Sequence, residues 1–329
     1  MSFTKGEIFF LIGLFLFGLG IMLLIMQYLF PPFAPVHQTR RWQIESIDTM
    51  KYSRDNARAD LTDPRFTVDA NKQIADIAAT GANYVAIDTP YDDEFLPVLD
   101  VWVQAARRYG LHIWFRGNFS GWEGWFGYSK IDEQTHISKI KQFISNNADL
   151  FRDGDIFSSC PECENGANLK PGDIQGVINH RNFLIQEYNT TKDAFKQINK
   201  NVASNYFSMN ADIARAVMDK PTTQALDGIV VIDHYVLTPE RYIDDIASIS
   251  TMSGGKIVLG EFGAPIPDIH GNMNDDQQAQ WLDRTLQLLS NETELIGVNY
   301  WTNKGGSTAL WKLDGTPKPA VTVIKQYYQ

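Results

Sequence analysis

The sequence predicts an α/β fold, a (β/α)8 TIM barrel preceded by a single N-terminal transmembrane helix. Three observations predict it: eight strand-like runs, helical periodicity between them, and a long apolar run near the N-terminus. The strand candidates are residues 44–47, 84–87, 111–115, 155–159, 202–205, 228–232, 257–259 and 296–300. Apolar side chains at helical spacing mark 71–79, 95–108, 136–147, 183–198 and 276–289. Spacings between strand starts lie near or above one eighth of the ~250 residues typical of this barrel. A doubly wound open sheet is the competing architecture, but no Gly-x-Gly-x-x-Gly turn follows the first strand to support a dinucleotide site.

The apolar run begins at Ile8 and carries no charged or strongly polar side chain to Met26, and its apolar character continues to Phe30. A helix needs roughly 20 residues to cross a bilayer, whereas a secretory apolar region is about 7 to 15 long, so an uncleaved anchor is expected. Pro31 and Pro32 end it, because proline cannot donate the next backbone hydrogen bond. The expected organisation is a tail at 1–6, a membrane anchor at 7–30, a short stalk at 31–43 and a barrel domain at 44–329. Lys5 lies on one side of the anchor and Arg40 and Arg41 on the other, so positive charge does not set the orientation. An extracytoplasmic barrel follows from the function argued below. The sequons at Asn118, Asn189 and Asn291 are compatible with export.

Apolar residues make up 44% of the chain and charged residues 21%, enough for a globular core. The net charge of −10 argues against nucleic acid as a partner, since phosphate binding relies on clustered Lys and Arg. Cys160 and Cys163 are too few for a disulfide framework or a four-cysteine zinc site. As a C-x-x-C closing a strand they do not suit thioredoxin-like chemistry, and both a loop-stiffening disulfide and free buried thiols remain open. No metal or organic cofactor is expected, and nothing in the sequence assigns an oligomeric state.

In a barrel of this kind, functional groups sit beyond the C-terminal ends of strands. The fourth strand runs from Asp155 to Glu162 and the seventh from Lys256 through Glu261 to Pro265, so each ends in a glutamate. The ends of strands four and seven face each other across a closed barrel. Two carboxyl groups about 5 to 5.5 Å apart let one protonate a leaving oxygen while the other attacks the anomeric carbon. At that separation the ionised member raises the pKa of its partner, so one can stay protonated. Glu162 is expected as acid/base and Glu261 as nucleophile. Glu164, two residues on, is the other candidate for proton donor, with Glu162 then a support or substrate ligand.

With these motifs the sequence resembles the clan of retaining (β/α)8 glycoside hydrolases that includes family 5 cellulases and mannanases. The resemblance spans residues 44 to 329. Gly260-Glu261-Phe262-Gly263 is similar to the clan's nucleophile motif, and Asn299-Tyr300-Trp301 to its eighth strand, whose Trp supports the sugar. Asp314 to Ala320 is similar to the usual closing segment. His234 and Tyr235 end the sixth strand, where the resemblance implies a Tyr that hydrogen-bonds the nucleophile. Two positions depart from the family pattern: Pro161 stands where an Asn usually precedes the acid, and Ala86 where an Arg is common. Arg116, ending the third strand, is placed to supply that charge.

The loop after the third strand mixes rings with glycines, and Trp122 and Trp125 suit pyranose faces, with Arg116, Asn118 and Glu123 as hydroxyl partners. Loop packing is the alternative for these rings. The segment from Asp48 to Asp55 could line the floor of the cleft. The expected substrate contacts are therefore Arg116, Asn118, Trp122, Trp125, Glu164, His234, Tyr235 and Trp301. The expected activity is hydrolysis of a β-linked poly- or oligosaccharide with net retention. A non-catalytic carbohydrate-binding barrel and a transglycosylase using the same site are the alternatives.

Overall fold

The structure, a computed structural model, describes residues 40–328. The anchor expected at 7–30 and all of the stalk before residue 40 lie outside the described residues. Among the described residues no helix is long and apolar enough to cross a membrane.

Eight parallel strands curl into one sheet: β1 (Ile44–Asp48), β2 (Tyr84–Ile87), β3 (His112–Phe115), β4 (Ile156–Phe157), β5 (Ser208–Asn210), β6 (Ile229–Asp233), β7 (Lys256–Phe262) and β8 (Leu295–Tyr300). Their order is β4-β3-β2-β1-β8-β7-β6-β5, with β1 and β8 paired in the middle. The remaining gap, between β4 and β5, is closed by a parallel bridge from Ile156 to Ala203. There Ala203 N donates to Asp155 O at 3.0 Å and Phe157 N to Ala203 O at 2.8 Å. The chain thus forms the (β/α)8 barrel that its pattern predicts.

Each strand is followed by a packing helix: α1 (Phe66–Ala78), α2 (Leu96–Arg108), α3 (Glu133–Asn146), α4 (Ile174–Gln197), α5 (Ala211–Val217), α6 (Pro239–Ser253), α7 (Asp275–Leu289) and α8 (Pro319–Tyr327). Several starts are written locally in sequence. Asp132 accepts from Thr135 N before α3 and Asp173 from Gly176 N before α4, while Asn274 and Gln277 form a reciprocal capping box at α7. The end of α6 is set by Gly254 at φ +69°, a conformation open to glycine at no steric cost.

The fifth strand departs from expectation. The sequence pattern places it at residues 202–205, yet the regular strand is Ser208–Asn210. The segment is divided in use: Ala203 pairs with β4 and Ser208 to Asn210 pair with β6. Between them the Tyr206 carbonyl accepts from Ser158 Oγ rather than from a ladder. A strand-like pattern on this segment does not reveal which residue meets which neighbour.

Strand alternation sorts the side chains into layers. Val85, Ile87, Ile113, Phe115, Val230, Ile232, Ile257 and Leu259 face outward into the apolar layer beneath the helices. Ile44, Ala86, Trp114, Ile156, Val231 and Val258 face inward and fill the barrel interior. Further along the strands the inward positions become polar: Asp48, Asp88, Arg116, Ser158, Asp233 and Asn299, all buried. The barrel therefore has an apolar plug toward its N-terminal end and a charged layer at its mouth.

One irregularity breaks this alternation where it matters. The register between β6 and β7 shifts after Ile232, so that Asp233 lies opposite Glu261 rather than Gly260, and a matching shift separates Leu259 from Phe262 against β8. A bulge places two successive residues on one side of the sheet. Phe262 remains in the outer core, while Glu261 turns to the mouth. Gly260 can occupy the bulge because it has no side chain: a Cβ there would stand 2.4 Å from Asp233 Oδ1 and 2.8 Å from Val231 Cγ1. Gly260→Ala should lower stability by about 1–3 kcal/mol, the usual range for overpacking, as read from the midpoint of urea unfolding at unchanged slope.

Candidate active site

The charged layer is organised around Arg116, which ends β3 two residues after inward-facing Trp114 and is 2% exposed. Its guanidinium lies 5.3 Å from the Trp114 ring. Nη1 donates to the Gly260 carbonyl, and Nη2 to Glu261 Oε1 at 2.9 Å and Asp233 Oδ2 at 3.2 Å. Nε lies 3.7 Å from both Asp48 Oδ2 and Asp88 Oδ1. One cation thus faces four carboxyl groups delivered by β1, β2, β6 and β7. Burying that many anions around one charge is unfavourable, so the cluster holds protons. Asp88 is pushed well up, first by burial and then by the charge of Asp48 nearby. Asp233 is raised by burial, against the pull of Arg116.

Glu261 has a donor on each oxygen: Arg116 on Oε1 and the Tyr235 hydroxyl on Oε2 at 2.8 Å. Burial, and after it Asp233, push Glu261 up, while Arg116 pulls it down. Tyr235 is lifted well above its ordinary value, first by burial and then by the adjacent Glu261, so it stays a proton-bearing donor.

Glu162 enters from the turn after β4 with φ +45° and ψ +45°, a left-handed conformation that costs a non-glycine residue ~1–2 kcal/mol. Its backbone N–H is tied to the Ser208 carbonyl at 2.8 Å. A disulfide joins Cys160 to Cys163 across the same turn, which resolves the alternative left open for these thiols. The Glu162 carboxyl meets only neutral amides, Asn165 Nδ2 at 3.2 Å and Asn210 Nδ2 at 3.5 Å. Burial, then Asp233, raise it to about 7. Between the two facing glutamates the charge is placed on Glu261 and the proton on Glu162, because Glu261 accepts from the Arg116 cation and from Tyr235, donors that favour its ionised form, whereas Glu162 accepts only from neutral amides.

Glu162 and Glu261 line one narrow cleft with Arg116, Met50, Arg54 and Trp125, about 10 Å³ in volume. The segment after β1 does supply its floor: Met50 and Arg54 stand one turn apart, and Arg54 lies 4.8 Å from the Trp125 ring. Trp301 flanks the cleft through its indole N–H, 3.4 Å from Met50 Sδ, and meets Tyr235 edge to face at 6.1 Å.

Other expected sugar contacts are placed elsewhere. Glu164 is buried, accepts from Asn210 N at 2.8 Å and does not line the cleft; burial raises it to about 8. Asn118 is buried with its carbonyl oxygen bonded to Phe119 N and His136 Nε2. Trp122 stacks on Phe183 at 5.4 Å and donates to the Cys163 carbonyl, so it packs the loop. His234 turns its ring to Asp245 at 2.9 Å, and burial lowers its pKa. Asp88 and Asp233 were not singled out from the sequence, although alternation from Ala86 and Val231 would have placed both in the mouth. Asn299 donates to Asp48 Oδ2 at 3.1 Å and the Gly260 carbonyl at 2.8 Å, bracing the bulge from β8. Among the described residues no group of His, Cys, Asp and Glu is arranged to hold a metal ion.

The sequence matches no protein-family model, and no curated protein sequence matches it. Solved structures share its fold. A GH5_18 variant from Bifidobacterium longum subsp. longum in complex with Manβ1-4GlcNAc superposes with TM-score 0.62 at 12% identity, over 87% of this chain and 78% of that one. A β-D-glucuronidase from Dictyoglomus thermophilum gives 0.55 at 14%, over 79% and 47%, and one from Ruminococcus gnavus with D-glucuronic acid 0.55 at 13%, over 80% and 46%. The chain spans about half the length of these two glucuronidases. At such identities the likeness is one of fold, the (β/α)8 barrel.

Arg116→Met should cost about 3–5 kcal/mol, because it strands buried carboxylates without their cation. The destabilisation should shrink on acidification, as the orphaned carboxyl groups take up protons; urea titrations at several pH values read both effects.

Proposed function

We propose that this chain is a membrane-anchored glycosidase that cleaves a β-linked glycan with retention of anomeric configuration. What carries the reading is the chemical inequality of two glutamates in one cleft: Glu261 bonded to Arg116 and Tyr235, and Glu162 raised to about 7 without a cation of its own. The choice of a β-linkage draws support from the glucuronidases and the Manβ1-4GlcNAc complex that share the fold. The anchor rests on the apolar run from Ile8 to Phe30, and an extracytoplasmic location on the need to meet a polysaccharide.

In the first step the Glu162 proton passes to the glycosidic oxygen as a Glu261 oxygen attacks the anomeric carbon, and the C–O bond to the leaving sugar breaks. In the second, Glu162 takes a proton from water, whose oxygen attacks the same carbon and releases Glu261. Arg116 and Tyr235 orient the nucleophile, and the buried acids around them keep Glu162 protonated. A sugar ring exceeds the present cleft, so binding requires the side chains that line it to move apart.

A 2-fluoro glycoside should trap a covalent adduct that peptide mapping assigns to Glu261; an adduct elsewhere removes the nucleophile from this reading. Glu162→Gln should lower kcat/KM on unactivated glycosides by ~10²–10⁴ while sparing activated aryl glycosides, whose leaving group needs no proton. Glu164→Gln should show no such split. Because the acid must be protonated and its pKa is raised to about 7, kcat/KM should hold up to that pH and fall above it. Glu162→Gln should flatten that alkaline limb.

A further inference from the structure

His136 and Glu187 are titratable, fully buried and unused by the two chemical steps above. His136 stands in the first turn of α3 and Glu187 in the middle of α4, with Nδ1 of the one 3.1 Å from Oε1 of the other. Glu187 makes no hydrogen bond and has no other ion pair among the described residues. A buried ionisable group needs a partner, so each of these holds the other, and with it α3 against α4.

The far side of the imidazole leads to the turn that carries Glu162. Nε2 meets Asn118 Oδ1 at 2.8 Å, and the same oxygen accepts from Phe119 N at 2.7 Å. An amide oxygen only accepts, so Nε2 is the donor there, and Asn118 Nδ2 is left to face Cys160 Sγ at 3.4 Å. The ring also packs edge to face on Trp122, with centroids 5.0 Å apart. Trp122, stacked on Phe183 of α4 at 5.4 Å, donates from Nε1 to the Cys163 carbonyl at 3.0 Å. Gly166, four residues after Glu162, admits that indole: a Cβ there would stand 2.2 Å from Nε1.

One buried ring thus reaches both ends of the disulfide clasp, Cys160 through Asn118 and Cys163 through Trp122. Between those ends lie only Pro161 and Glu162. The Glu162 carboxyl has two long amide contacts of its own, at 3.2 and 3.5 Å, so its place follows from the backbone of the turn. That backbone is left-handed at Glu162, a conformation that persists where the surroundings impose it.

We infer that His136 is a positioning residue for the acid: with Glu187 behind it, it holds Asn118 and Trp122 against the clasp and so sets where the Glu162 carboxyl stands. This role rests on Glu162 being the proton donor proposed above. Asn118 and Trp122, expected from the sequence to touch sugar, act on the reaction through this turn instead.

The test compares the full-length chain with a variant carrying His136→Phe and Glu187→Gln together, which keeps a ring at the first position and strands no carboxylate at the second. On unactivated glycosides kcat/KM should fall ~10–10²-fold, the range for a displaced catalytic group, while on activated aryl glycosides it should stay near its original value. A role in folding alone would lower both alike. Cys160→Ser with Cys163→Ser should produce the same split, and joining the two pairs of substitutions should cost no more than the larger pair by itself, because both act through one turn. Should the first variant not fold, Trp122→Phe, which keeps the stack on Phe183 and loses the N–H to Cys163, carries the same comparison. An equal fall on both substrates, no fall on either, or effects of the two pairs that multiply overturns the proposal. Glu162→Gln, measured alongside, separates the two readings. If it shows no split, the acid assignment fails and this role with it; if it shows the split and the His136 variant does not, the positioning role alone fails.

Discussion

The interaction on which the mouth of this barrel depends is the burial of the Arg116 guanidinium among carboxyl groups from four strands. The Arg116 cation does not offset all the carboxyl groups gathered on it, and burial raises Asp88, Asp233 and Glu261 toward their protonated forms. That constraint serves two ends at once. It draws the ends of β1, β2, β3, β6 and β7 around one point, and it leaves a surplus of negative charge that presses on the neighbouring Glu162.

Two backbone departures then aim the glutamates. On β7 a bulge at Gly260 turns Glu261 inward, against the parity of its strand, and Asn299 on β8 braces the bulge through the Gly260 carbonyl. After β4 a left-handed residue does the same for Glu162, inside a turn clasped by the Cys160–Cys163 disulfide and tied to Ser208. Regular strands would have sent Glu261 toward the helices. Local strain or irregularity at such positions persists because the surroundings over-determine it.

Much of the architecture was legible because it depends on period. Apolar alternation and helical spacing reflect which face meets the core, and the strands at 84–87 and 295–300 fall where those signals place them. The fifth strand was not legible in the same way, since Ala203 bridges to β4 while Ser208 to Asn210 carry the ladder to β6. Among site residues, Glu162, Glu261, Tyr235 and Trp125 do gather around the cleft. Asn118, Trp122 and Glu164 belong to the same motifs yet spend their polar groups on the protein itself. A ring or an amide in a glycine-rich loop has the same composition whether it faces solvent or its own scaffold.

By itself the sequence determined the order of the strands, the two strand ends that carry the glutamates, and the cysteines that flank one of them. Those follow from chain connectivity and from short-range pattern. Only the tertiary structure decided the rest: that Arg116 reaches Glu261 across the barrel, that Asp88 and Asp233 share its charge, and that Glu162 rather than Glu164 faces the cleft. The physical reason is that protonation and exposure depend on distances between residues far apart in the chain, which closing the barrel brings within a few ångströms.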